Sequence, residues 1–185
     1  MALAPADELP SPREPGAPYR VCLVCLGNIC RSPMAETVLR AELAAAGLAG
    51  ETAGAVVVDS AGTGDWHVGD AMDPGAWDAL ASRGHDGSAH RARQFEPSWL
   101  SRYDLILAMD SRNLADLRRM ARARGEDTAR IRLFGEVGVL TDNGTQDIPD
   151  PWGGGPDKFG QVLDLLGAAA PVIAARLAGL LKPAG

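Results

Sequence analysis

The chain has no cysteine after Cys30, and the three it does have, Cys22, Cys25 and Cys30, fall within nine positions. One such cluster cannot form a disulfide framework for 185 residues, so the expected setting is a reducing cytoplasm. No fourth cysteine completes a tetrahedral sulfur site, and His67, His85 and His90 lack a His-x3-His spacing; neither a metal nor a cofactor is expected. An excess of positive charge is also missing. The formal net charge is -6, which argues against a nucleic-acid or membrane partner and requires any anionic substrate to be drawn by a local positive site. Residues 1–18 carry five prolines but neither the basic start nor the apolar segment of a secretory signal, and they read as a disordered lead. Leu165–Leu181 is apolar, yet Asp164 precedes it, Arg176 interrupts it and Pro171 divides it, which predicts a pair of amphipathic helices on the core rather than a membrane span. No internal repeat is visible.

What remains, residues 19–185, is of a size for one domain with a real core. Short apolar runs at Arg20–Val24, Val56–Ser60, Leu105–Ala108 and Ile131–Phe134 alternate with helical stretches at Pro33–Ala46, Asp73–Arg83, Ser111–Arg124 and Lys158–Leu181. Four strands alternating with helices predict an α/β fold, a parallel sheet with helices on both faces. Gly47, Gly84 and Gly125 are expected helix stops, and Ser111 an N-cap. The basic run Arg118, Arg119, Arg122, Arg124, Arg130 and Arg132 reads as a solvated helix face.

The chemistry is concentrated where the first strand ends. Cys25 and Arg31 bracket Leu26, Gly27, Asn28, Ile29 and Cys30, and Ser32-Pro33 then open a helix. Five intervening residues let successive N-H groups turn inward as an anion-binding nest, and the helix N-terminus adds partial positive charge at the same spot. Arg and a helix N-terminus both favour the thiolate form of Cys25, which is then poised to attack phosphorus. In open parallel sheets ligands sit beyond the carboxyl ends of the strands, where the first strand delivers Cys25. A second signal lies in the long Gly135–Asp157 connection: Pro149 and Pro151 stiffen the backbone around Asp150, as general-acid work requires.

Taken with Asp59-Ser-Ala-Gly-Thr-Gly-Asp-Trp-His-Val-Gly69, His90-Arg-Ala-Arg-Gln94, Met109-Asp110 and Asn113-Leu114, these segments resemble, in order, those of the low-molecular-weight protein tyrosine phosphatases across Arg20–Leu181. The resemblance implies a flavodoxin-like strand order 2-1-3-4, Cys25 as nucleophile, Arg31 as phosphate clamp and Asp150 as general acid. It also implies that Asn28, Ser32, Ser60 and His90 hold the loop in shape and that Trp66 walls the substrate cleft. Metal-independent hydrolysis of phosphotyrosine in proteins, through a cysteinyl-phosphate, is the activity that follows. Inorganic phosphate and other oxyanions are then expected as product or inhibitors. Cys30 beside Cys25 suggests a reversible disulfide under oxidation.

Specificity is written less plainly. Tyrosine-directed members follow the Asp-Pro with two tyrosines, whereas this chain has Trp152 and Gly153, a continuation closer to relatives that act on phosphoarginine. Those relatives carry Thr at the position of Ile29, and the apolar Ile29 favours phosphotyrosine, with Trp66 and Trp152 as walls for a flat ring. A protein-arginine phosphatase is the alternative. An arsenate reductase of the thioredoxin-linked type would need a further downstream cysteine pair, and a non-catalytic phosphate-binding module would need neither a thiolate nor an acid.

Overall fold

Four short parallel strands form the centre of the computed structural model, which describes residues 8–140 and 146–181. They are β1 (Tyr19–Cys25), β2 (Val56–Gly62), β3 (Leu105–Ala108) and β4 (Ile131–Leu133), in the order β2-β1-β3-β4. β1 and β3 are the inner strands, and both read as almost unbroken apolar runs because helices cover both faces of the sheet. On one face lie α1 (Arg31–Ala45), α2 (Pro74–Ser82), the single-turn α4 (Phe134–Val137) and α5 (Pro156–Leu181). On the other, α3 (Ser111–Ala123) and a 3-10 turn at Pro97–Ser101 pack with Phe95, Leu100, Tyr103 and Leu117 as a second core. Parallel pairing in register sets Cys25 opposite Gly62 and Val24 opposite Ala108, so three strands deliver their carboxyl ends to one place.

The helices stop where glycine permits a left-handed residue. Gly47, Gly84 and Gly125 have φ of 70°, 78° and 69°, and each turn returns two N-H groups to the last carbonyls of its helix. Asp110, rather than Ser111, caps α3: its carboxylate accepts from the Asn113 N-H, while Ser111 is already helical.

Three further sequence expectations are corrected. α5 is one unbroken helix of 26 residues, not a pair divided at Pro171. Pro171 sacrifices a backbone bond at a cost of about 3 kcal/mol, but Leu163, Leu166, Ala170, Ile173, Ala174 and Leu177 are buried on both sides of it, which outweighs that loss. By length and composition α5 could cross a membrane; here its apolar face is core, packed chiefly on α1. The arginine run is only partly a solvated face. Arg118 donates to the Ile131 carbonyl, Arg130 to the carbonyls of Ser11 and Asp104, and the buried Arg132 pairs with Glu136. Residues 8–18, expected as part of a disordered lead, lie as a strap across the amino ends of the strands. Leu9 is buried, Tyr19 donates to the Pro10 carbonyl, and Arg13 donates to the Tyr103 and Leu100 carbonyls while its own N-H reaches Asp104. Long-range partners of this kind leave no local pattern. Residues 1–7 of that lead, and 182–185 of the expected domain, lie outside the described residues.

Candidate active site

β1 ends at Cys25 and α1 begins at Arg31, so the five residues between them must reverse direction over the end of the sheet. Asn28 makes the turn at φ 57°, a left-handed conformation that Asn tolerates better than most residues. Its backbone N-H points at the Cys25 sulfur, 3.2 Å away. Ser32 brings its hydroxyl within 3.0 Å of the same sulfur. That hydroxyl also accepts from Asn28 Nδ2 at 2.9 Å, and its one proton is shared between Cys25 Sγ and the Ala61 carbonyl at 3.3 Å. Cys30, at the N-cap of α1, offers no side-chain cap, so the first N-H groups of the helix face the loop with their dipole uncovered. An anion centred on the loop meets donors from its backbone and the helix end together.

Asn28 is wholly buried and every polar atom it has is used. Nδ2 donates to Ser32 and Ser60, Oδ1 accepts from the Arg93 N-H, and its carbonyl accepts from His90 Nε2 at 2.7 Å. Because a carbonyl only accepts, His90 carries its proton on Nε2. Burial disfavours the charged imidazole and lowers its pKa, and the bond to Asn28 offsets this only in part. Arg93 spans the same support, donating to the Ser60 carbonyl and pairing with Asp59, which also accepts from Tyr103. Gly62 lets the loop lie close over β2: a Cβ there would stand 2.7 Å from the Leu26 carbonyl oxygen.

Arg31 is 3% exposed and held at both ends of its guanidinium. One terminal nitrogen donates to Asp110 and to the Ile148 carbonyl, and the other donates to Asp150 Oδ2 at 2.9 Å. Burial opposes its charge, yet Cys25, Asp110 and Asp150 more than compensate, and its pKa is raised. Burial above all pushes the Cys22 and Cys30 thiols up. The segment carrying Asp150 is pinned from behind. The Ile148 N-H donates to the Met109 carbonyl, and Asp147 accepts from the Ser111 N-H and hydroxyl at the start of α3. Asp150 itself is 45% exposed, with its other oxygen accepting from the Trp152 N-H.

These groups share a cleft of about 310 Å3 lined by the buried Cys25 and Arg31 and the half-exposed Asp150. Trp66 and Trp152, both largely exposed, stand at its sides with His67 and Ile29. Trp66 lies flat on Gly64, where a Cβ would collide with its ring. His67 is paired with Asp70 and sits 3.0 Å from the position a Gly27 side chain would take. A thiol, a fixed guanidinium and a carboxylate around an anion-shaped loop can transfer a phosphoryl group to sulfur and protonate the oxygen it leaves. Among the described residues no group of three or more His, Cys, Asp or Glu is placed to hold a metal ion.

Residues 20–180 match the family described as low molecular weight phosphotyrosine protein phosphatase. The chain belongs to that family. It is 47% identical to a low molecular weight protein-tyrosine-phosphatase of Streptomyces coelicolor over 152 residues, covering 82% of this chain and 89% of the relative. Among solved structures it is similar to a protein tyrosine phosphatase from Entamoeba histolytica, with a TM-score of 0.77 and 30% identity over 87% of this chain and 97% of that one. It is also similar to the arginine phosphatase YwlE of Bacillus subtilis, with a TM-score of 0.72 and 27% identity over 86% of this chain and 95% of that one. As a low molecular weight phosphatase the protein is a hydrolase of phosphoric monoesters.

The fold brings the candidate site residues together: Cys25, Leu26, Gly27, Ile29, Cys30, Arg31, Trp66, Asp150 and Trp152 line the cleft, and Asn28, Ser32, Ser60 and His90 are joined behind it. Three participants were not assigned. Asp110 and Arg93 lie inside the quoted segments Met109-Asp110 and His90–Gln94, but their partners are far away in sequence. Gly62 lies inside the quoted segment Asp59–Gly69, where it signals only that a glycine ends an apolar run.

Proposed function

We propose that this phosphatase hydrolyses phosphotyrosine in proteins through a cysteinyl-phosphate, with Cys25 as nucleophile, Arg31 as phosphate clamp and Asp150 as general acid. The observation that carries this reading is the convergence of those three groups on one cleft, with the Asn28 N-H directed at the Cys25 sulfur. Cys25 sulfur attacks phosphorus in line, and the P-O bond to the leaving group breaks as Asp150 gives that oxygen its proton. Phosphoryl oxygens compete with Asp150 for Arg31, which frees the carboxyl oxygen for the leaving group. The guanidinium fork grips two equatorial oxygens as their charge grows in the transition state, a planar grip that Lys cannot reproduce. Ser32 donates to the sulfur when it departs. Asp150 then takes a proton from water, which attacks the phosphorus of the cysteinyl-phosphate and releases inorganic phosphate.

Ile29 supports an aryl substrate, since it adds an apolar surface to the cleft that Trp66 and Trp152 also line. The free cysteines fit a reducing, cytoplasmic setting, and Cys30 next to the loop fits reversible protection of an oxidised Cys25. One observation favours a second reading on the same site: Trp152-Gly-Gly follows Asp150-Pro151, and an arginine phosphatase is among the similar structures.

Steady-state turnover of matched phosphotyrosine and phosphoarginine peptides by the reduced, metal-free protein, with Cys25→Ser as the blank, decides between them. The expected result is a clear preference for phosphotyrosine and no turnover by the variant. A preference for phosphoarginine would transfer the assignment to the second reading, and no turnover of either would reject both.

A further inference from the structure

Trp152 belongs to two cavities. One face borders the catalytic cleft; the other closes a groove of about 690 Å3 between α2 and the start of α5. The floor of the groove is apolar, made by the buried Phe159 and Leu163, while its rim is charged. Arg83 on that rim is neutralised by Asp164, and Asp73 has one oxygen engaged in capping α2. Asp78 is exposed and has no ion pair among the described residues. The N-terminus of α2 brings partial positive charge, which its N-cap Asp73 answers. The charged lining is thus Asp73 and Asp78 against an Arg83 already paired with Asp164, which leaves Asp78 as the exposed carboxylate without an ion pair among the described residues.

We infer that this groove is a subsite for a lysine or arginine side chain flanking the phosphorylated residue of a protein substrate. The inference rests on the catalytic reading above. An extended chain advances roughly 3.3 Å per residue, so one with its phosphorylated side chain in the cleft crosses Trp152 within about two or three residues. A basic side chain suits what it meets there. Its methylene stem lies along the apolar lining beside Pro74, Ala79 and Pro156, and its charged head reaches Asp78 at the rim. An acidic residue at the same place would face uncompensated carboxylate. The occupant is thus part of the substrate chain, continuous with the group being hydrolysed.

Two variants outside the catalytic groups test this. Asp78→Lys reverses the rim charge. Gly160→Leu fills the groove from α5, where a side chain meets nothing within 4 Å and replacing glycine does not weaken the helix. The measurement is kcat/KM on phosphotyrosine peptides that differ only in carrying Lys or Glu two or three residues from the phosphotyrosine, with para-nitrophenyl phosphate as the small substrate. Wild type should prefer the Lys peptides by about three- to fivefold, Asp78→Lys should erase or invert that ratio, and Gly160→Leu should flatten it. All three proteins should turn over para-nitrophenyl phosphate equally. Wild-type indifference to the flanking charge, with the small substrate turned over normally, overturns the subsite alone. Equal losses on peptide and small substrate in the variants also overturn it. Failure of wild type on both substrates sinks the catalytic reading and the subsite with it.

Discussion

On the loop side of the cleft Asn28 is 0% exposed and spends each polar atom on a protein partner, whereas on the acid side Asp150 is 45% exposed and Trp152 67% exposed. The loop wall is a closed hydrogen-bond network in which Ser32, Ser60 and the Arg93 N-H depend on the Asn28 side-chain amide and His90 on its main-chain carbonyl. The acid wall is held behind Asp150, at Ile148 and Asp147, and at Asp150 itself by Arg31, and beyond it the chain runs into glycines. The pair teaches a division of labour. Groups that bind the transferring phosphoryl must be fixed to a fraction of an ångström, because misplacement by about 1 Å costs on the order of 100-fold. Groups that meet the variable remainder of a substrate gain from adaptability.

The sharpest way to break that comparison is to remove one group from each wall. Asp150→Ala should lower turnover of poor leaving groups by about 10² to 10⁴ while sparing activated aryl phosphates and leaving Tm nearly unchanged. A leaving-group series with equal losses throughout would remove Asp150 from the acid's role. Asn28→Ala should cost both stability and rate: about 2–4 kcal/mol from orphaned buried partners and an unfavourable left-handed alanine, and on the order of 100-fold in kcat for every leaving group. Chemical denaturation and the same series read both; an active, fully stable Asn28→Ala would show that the loop wall is not rigid through this residue.

The smallest effect concerns His90. Burial lowers its pKa below the ordinary 6.5, so the unfolded chain binds its proton more readily than the fold does. The contribution is intact above that value and is lost as pH falls below it through the folded pKa. Tm of wild type should therefore decline more steeply from pH 7 to pH 5 than that of His90→Asn, by about 1–3 °C, since acidic groups common to both cancel. Parallel curves would mean that His90 titrates freely in the fold.

The catalytic end of the sheet was legible because its signals are local. A strand, a Cys-x5-Arg loop and a Ser-Pro helix start occupy consecutive residues, and the stops at Gly47, Gly84 and Gly125 follow from backbone geometry. Asp150 was visible for the same reason, framed by its two prolines. What composition missed depends on partners distant in sequence. Residues 8–18 look unstructured until Asp104 and Arg130 are beside them, and Pro171 looks like a break until the burial on both sides of it is known. Asp110 was near enough to be quoted, but its grip on Arg31 crosses 79 positions.

The strap has an orientational consequence. Glu8, Pro10 and Ser11 offer main-chain carbonyls to Arg132, Tyr19 and Arg130 at the amino ends of the strands, the pole opposite Cys25. Whatever is attached by way of that pole, whether a surface, a fused domain or a scaffold, leaves the mouth of the cleft pointing outward, so the enzyme can be tethered by its back while its substrates approach from the front.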